Sequence, residues 1–317
     1  MILRVTDEDE RLHPVEDPSE HWSDSLYFNA WDPASDVFLL TRMAVLPTLA
    51  KSTAGVLLWR DGTPAYGYGS DHEGDPPGDW DVMQIGGLTY RMEMSCQRWT
   101  MQLDDPDNDT RAFLTWDGFT GCFPYDLNPT PLPKAVAWGH YEQTCRVTGD
   151  LILRGERIKF DGVGQRDHSW GFRDWAGLRE WHWITGFLGP GPSGRLSGKY
   201  EALSFNVFQV VQHDGTVTVN GFVHAGGRDL AVTGVQRETD ETGSGSPQGY
   251  RLTIEVEGGA TFTIEGESAG TEVPVRPNAN ARAAESGEHD TVVHEVPMRL
   301  TSGTLAGFGI YELLDNR

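Results

Sequence analysis

The chain has 317 residues, above the usual single-domain size, and its 47 acids against 25 bases give a formal net charge of −22. So acidic a chain is repelled by phosphate backbones and anionic membrane surfaces, and no basic patch offsets this, which excludes nucleic acid as a partner. An apolar fraction of 38 %, with 11 Trp, 13 Phe and 9 Tyr, supplies a core and excludes a disordered composition.

The opening stretch MILRVTDEDERLHP turns acidic from Asp7 and lacks an apolar h-region, so no secretory signal is expected. No apolar run reaches the length of a transmembrane segment, so none is expected. Cys96, Cys122 and Cys145 are too few and too scattered for a disulfide framework or a zinc site, and they fit a reducing cytoplasm.

The 38 glycines and 18 prolines divide the chain into short segments with little helical periodicity. Strand-like runs follow one another: DVFLLTRMAVL (36–46), AGVLLWRDG (54–62), LTYRMEMSCQRWTMQL (88–103) and TRAFLTWDGF (110–119). After the midpoint come GDLILRGERIKFDGVG (149–164), EWHWITGFLG (180–189), the long run at 201–227, YRLTIEVEGGATFTIEGES (250–268) and GTLAGFGIYELL (303–314). Their alternation of apolar with polar, and the RDG, RGE, HDG and EGG joints, predict antiparallel hairpins. The fold expected is all-β, in sandwiches or barrels. FPYDLNPTPLPKAVAWG (123–139), broken by four prolines, is the expected seam between one β domain over 1–135 and another over 136–317. The stretch 237–249 reads as an exposed hairpin tip, 274–290 as a loop or short helix, and the glycines of 189–198 would permit closure over a ligand.

The chemistry concentrates in GVGQRDHSWGFRDW (162–175). Period-two alternation puts Ile158, Phe160, Arg166, His168 and Trp170 on one face, with Gly162 and Gly164 between them, and Asp167 and Ser169 on the other. Ile158 and Phe160 mark the first face as inward, where the glycines would leave space for a ligand. His168 and Trp170 are then the residues expected to meet substrate, with Asp167 bracing or relaying the proton and Arg166 holding the pair. Glu142, in HYEQTCRVTG, is a further acid on a neighbouring strand. In REWHWITGFL, Trp181 and Trp183 alternate with His182, giving an aromatic wall that can pack a core, bind an apolar ligand or face a cation. The alternative for the charged residues is a structural ion-pair cluster of Arg166, Asp167, Arg173 and Asp174.

No nucleophile elbow, P-loop, HExxH or dinucleotide fingerprint occurs. GYGSDHEGD (67–75) has the wrong spacing for an EF-hand. A metal site from His140, His168 and His182 is conceivable, but there is no HxH pair, and neither a metal nor a cofactor is expected. What remains is acid–base chemistry without a cofactor.

The motif HYEQ…GVGQRDHSWGFRDW, followed by WHWITGF, resembles the family of bacterial carotenoid 1,2-hydratases (hydroxyneurosporene synthases). AttH-like proteins, fungal Diels–Alderases and meroterpenoid cyclases look like more distant members. The resemblance is strongest over about 138–190, and DSLYFNAWD (24–32), with Tyr27 and Phe28, looks like the family's opening motif. It implies two tandem lipocalin-like (calycin) β-barrels, chemistry without a cofactor on a hydrophobic small molecule such as a terpenoid, and functional weight on His168 and Trp170. The hydratases also use a Tyr and an Asp on a following strand. The nearest counterparts here, Ser204 and Asn206, lack both groups, so hydration of a carotenoid itself is not implied. The reading is a hydratase, dehydratase or cyclase, with Trp181, His182, Trp183, Asn206, Tyr27 and Phe28 contacting substrate. Its rivals are a lipid-binding protein of the same fold and a metal-dependent barrel enzyme.

Overall fold

The structure is a computed structural model that describes residues 5–16, 22–189, 202–240, 247–276 and 291–316. Apart from 3₁₀ turns, its regular elements are all antiparallel strands, arranged as two closed or nearly closed β-barrels. Among the described residues no helix is long and apolar enough to cross a membrane. The proposed closing loop lies outside the described residues from 190 onward, as do 241–246 of the hairpin tip and 277–290 of the later loop.

The first barrel takes Met1–Pro124 together with Gly139–Phe172. Its strands are β1 (Trp22–Asp32), β2 (Val37–Leu46), β3 (Lys51–Arg60), β4 (Thr63–Glu73), β5 (Val82–Ile85), β6 (Leu88–Met94), β7 (Arg98–Asp105), β8 (Thr110–Gly118), β9 (Phe123–Pro124), β10 (Gly139–Leu153) and β11 (Glu156–Phe172). They pair in the order β4-β3-β2-β1-β11-β10-β8-β7-β6-β5, with β9 added on β10. The RDG joint becomes the β3–β4 turn, with Asp61 and Gly62 both at positive φ, as a tight hairpin requires.

The second barrel takes Tyr125–Trp138 and Arg173–Arg317. It contains β12 (Leu178–Leu188), β13 (Leu203–Gln212), β14 (Val217–Ala225), β15 (Arg228–Thr239), β16 (Gly249–Val256), β17 (Thr261–Ser268), β18 (Val273–Val275), β19 (Val292–Ser302) and β20 (Leu305–Asp315). The β17–β19 pairing closes the ring, and β18 adds on to β19.

This division corrects the expected boundary near residue 135. The proline-rich segment does not separate the barrels cleanly, because the chain re-enters the first barrel after it. Strand β11 pairs with β1 on one side and β10 on the other, and β10 pairs with β8, so the motif strand belongs to the first barrel. Residues 125–138 instead run over the outside of the second barrel, where Asn128 Nδ2 donates to the carbonyls of Gly221 and Val232.

The interior of the first barrel is filled by large rings. Phe28 meets Tyr90, Trp99 and Trp116 at centroid separations of 5.0, 5.8 and 5.2 Å. Each such buried ring contributes about 1.5–3 kcal/mol through lost water contact. Gly162 and Gly164 do not open a ligand space here. A Cβ on either would lie 1.9 Å from a β1 carbonyl, that of Trp31 or Asn29, so these glycines allow two backbones to approach closely.

Candidate functional site

The register of β11 against its neighbours separates the RDHSW run into two sites. Arg166, His168 and Trp170 point into the barrel, opposite Gln143, Tyr141 and Gly139 of β10. Asp167 and Ser169 point outward, opposite Glu142 and His140 of β10 and Tyr27 and Ser25 of β1.

The inward half is a saturated polar network. Arg166 Nη2 donates to Glu10 Oε1 at 2.5 Å, its Nε donates to Gln143 Oε1 at 2.8 Å, and Nη2 also reaches Cys122 Sγ at 3.3 Å. The guanidinium lies between the rings of Tyr141 and Trp99, at 5.4 and 5.6 Å. His168 Nε2 bonds to Asp24 Oδ1 at 2.7 Å and its Nδ1 to the Tyr141 hydroxyl at 3.1 Å. Asp24 also accepts from Trp80 Nε1 and from the backbone N–H of His13, and its Oδ2 bonds His13 Nδ1 at 3.0 Å. The His13 ring stacks on Trp170 at 3.7 Å, and Trp170 in turn lies against Gly139, where any Cβ would strike its indole.

Burial and charge compete within this network. Burial would push the Asp24 carboxyl up, but His168 and His13 outweigh it and hold Asp24 well below the usual carboxylate range. Burial likewise raises Glu10, and the Arg166 guanidinium reverses this to leave Glu10 lowered. Tyr141 is driven well above its ordinary value by burial and then by the charge of Glu10, so it stays a neutral phenol. His168 is 0 % exposed and Arg166 1 %. Both have their donors engaged, the arrangement of a network that braces a fold.

This geometry corrects three expectations. Asp167 and His168 do not form a relay, because adjacent strand residues face opposite sides, and the carboxylate of His168 is Asp24. The expected ion-pair cluster of Arg166, Asp167, Arg173 and Asp174 is divided by the strand, because Arg166 faces inward and Asp167 outward. The acid on Arg166 is Glu10, and the chain leaves the first barrel after Phe172. His140 and His168 lie on opposite faces of one sheet, and among the described residues no cluster of metal-ligating groups joins them with His182.

The outward half is a row of chemistry-bearing side chains across three strands: Tyr27 on β1, Asp167 on β11 and Glu142 on β10, flanked by Ser169 and His140. His140 Nε2 bonds Glu142 Oε1 at 3.0 Å. One ligand atom from each of His140, Glu142 and Asp167 lies within 4.8 Å of the others. Glu142 is 0 % exposed, whereas Asp167 is only partly buried. This trio has the donor set for a divalent cation, or for a proton held between two carboxylates and an imidazole. A second trio, His13, Asp24 and His168, is already joined by its own hydrogen bonds. A third, Glu10, Cys96 and Cys122, faces the Arg166 cation.

In the second barrel, period two separates Trp181 and Trp183 from His182. The tryptophans and Asn206 share the outer face, where Trp181 meets Trp175 at 4.9 Å and Phe208 at 5.6 Å, and Tyr125 donates to Asn206 Oδ1. His182 points inward, with Nδ1 bonded to the Tyr311 hydroxyl at 2.7 Å and Nε2 accepting from Arg237 at 2.8 Å. Phe28, expected at substrate, belongs to the aromatic core.

Glu10, His13, Asp24 and Tyr141 were not singled out from the sequence. A signal existed for Asp24 and Tyr141: an inward Arg and His on a strand demand counter-groups, and these two residues lie on the strands beside β11. Nothing local marks Glu10 and His13, which reach the site from a segment outside the sheet. Leu12 N is tied there to Asp79 Oδ1 at 3.0 Å, and Arg11 pairs with Asp81.

Two tandem lipocalin-like barrels, with a polar motif strand shared between an inner brace and an outer cluster, define the class. The chain belongs to the family described as Domain of unknown function (DUF7064), whose model matches residues 6–317. No curated protein matches it. Among solved structures it is similar to one described as an AttH (NE1406) from Nitrosomonas europaea, at 14 % identity and TM-score 0.66, covering 93 % of each chain. It is similar to CghA with Sch210972, at 17 % identity and TM-score 0.64, covering 94 % of this chain and 89 % of that one. It is also similar to kievitone hydratase from Nectria haematococca, at 10 % identity and TM-score 0.61, covering 92 % and 88 %. The resemblance read from the motif therefore led to the right fold, with AttH and a hydratase among its neighbours.

Proposed function

We propose that this chain is an acid–base enzyme of the hydratase, dehydratase or cyclase type, acting without a cofactor on an apolar small molecule such as a terpenoid. The single observation that carries this reading is the outward trio of His140, Glu142 and Asp167, with Asp167 as the partly exposed acid beside two buried groups. In the proposed step Asp167 gives its proton to one carbon of a substrate double bond, leaving cationic character on the other. Water then adds there and returns a proton to the carboxylate, or a neighbouring carbon loses a proton to it. Glu142 and His140, joined at 3.0 Å, position Asp167 and the incoming water, and Tyr27 donates or orients from β1. Arg166 and His168 are positioning residues that fix β11 between β1 and β10. Similarity in fold to a protein named as a hydratase favours addition of water over the other outcomes.

The filled interior of the first barrel weighs against a carrier that seats a lipid at its centre, since Trp80, Trp99 and Trp116 occupy it. The test is incubation with a panel of isoprenoid alkenes in deuterated water. The reading expects carbon-bound deuterium in a product formed by the wild type and lost with Asp167→Asn. Binding of the panel with no turnover, unchanged in Asp167→Asn, would favour the binding protein.

A further inference from the structure

Two of the three cysteines, far apart in sequence, meet at one end of the first barrel. Cys96 sits in the β6–β7 turn at φ 55°, and Cys122 lies just before β9. Their sulfurs and a carboxylate oxygen of Glu10 all lie within 4.8 Å of one another. Both thiols are partly exposed, whereas Cys145 is buried. Arg166 Nη2, 3.3 Å from Cys122 Sγ, would oppose a metal cation here and favour a thiolate instead. The same end holds the N-terminal segment, where Cys96 Sγ reaches the carbonyl of Val5 at 3.9 Å.

We propose that Cys96 and Cys122 are an oxidation-sensitive dithiol that closes to an intramolecular disulfide in the presence of a peroxide. The hydrogen bond from Cys122 holds the Cys96 thiol below its ordinary range, and the same bond together with burial pushes Cys122 well above it. Cys96 is therefore the attacking sulfur and Cys122 the resolving one. The Cys96 thiolate attacks a peroxide oxygen, the O–O bond breaks, and sulfenic acid and hydroxide form. The Cys122 sulfur then attacks the sulfenic sulfur, the S–O bond breaks, and its thiol proton leaves with the departing oxygen. Two thiols and hydrogen peroxide thus yield one disulfide and two waters. Closure draws the Cys122 sulfur away from Arg166 and ties the β6–β7 turn to the segment before β9.

The three cysteines fall in separate tryptic peptides, 92–98, 112–134 and 135–146. Full-length protein treated with hydrogen peroxide and then alkylated is expected to lose two hydrogens in intact mass, and to join peptides 92–98 and 112–134. Cys145, whose thiol burial pushes up to about 12, remains unmodified under native conditions and alkylates only after unfolding. In Cys122→Ser, dimedone is expected to trap a sulfenic acid on Cys96. The proposal is overturned if peroxide leaves both thiols free to alkylate, or if the cross-link joins Cys145 or two separate chains. The wild-type mass shift needs no variant to fold.

Discussion

His168→Ala tests whether the inner half of the motif is structural. The substitution removes the 2.7 Å bond to Asp24 and the 3.1 Å bond to Tyr141. A hydrogen bond to a charged group contributes about 1.5–3 kcal/mol and a neutral one about 0.5–1.5 kcal/mol, and Tyr141 keeps Arg166 Nη1 at 3.5 Å, so its hydroxyl is not stranded. Asp24 keeps Trp80 and His13, so the loss does not become that of a bare buried charge. The sum, about 2–4.5 kcal/mol, shifts the melting of a barrel this size by roughly 4–18 °C at 2–4 °C per kcal/mol. Thermal denaturation followed by tryptophan fluorescence reads this directly, since Trp80, Trp99 and Trp116 lie in the same barrel. Asp167→Asn, on the partly exposed face, is expected within about 1 kcal/mol of wild type. A His168→Ala protein melting within about 2 °C of wild type would refute the assignment of the inner network as a brace.

Acid should weaken the first barrel through Glu10 and Asp24. Both carboxyls are lowered in the folded state, so their stabilisation is complete above the unfolded values near 4 and is lost as pH falls through the folded ones. Urea titrations at stepped pH should show stability dropping below about pH 4, with a shallower fall in Glu10→Gln. Gly164→Ala should unfold the barrel or cost more than about 2 kcal/mol, because its Cβ would lie 1.9 Å from the Asn29 carbonyl. Gly69→Ala, with nothing within 4 Å of its Cβ, should change stability by less than about 1 kcal/mol. Elemental analysis should find no stoichiometric metal, and chelators should leave turnover unchanged; bound metal lost with Glu142→Gln would move the outward trio from proton chemistry to metal chemistry.

The all-β architecture was legible because alternation and Asp-Gly or Arg-Gly joints act within a few residues. The face assignment along β11 was legible for the same reason, and it held without a bulge from Ile158 to Trp170. The domain boundary was misplaced because it depends on β11 pairing with β1, a contact between residues more than a hundred positions apart. Local breakers such as Pro129 and Pro131 carry no information about it. The inward glycines were misread as ligand space because sequence shows a missing side chain but not the neighbouring carbonyl that requires its absence. The partners of His168 were hidden for a related reason: sequence marks an inward His but not Asp24 and Tyr141, which engage its two nitrogens.

The most direct test of the account is one assay run on two variants. Turnover of a converted alkene and melting temperature are measured together for Asp167→Asn and His168→Asn. The account predicts that Asp167→Asn loses turnover by about 100-fold or more, the scale of a lost general acid, at a near wild-type melting temperature. His168→Asn should melt early yet retain activity below its transition. A stable, inactive His168→Asn beside a fully active Asp167→Asn would contradict it.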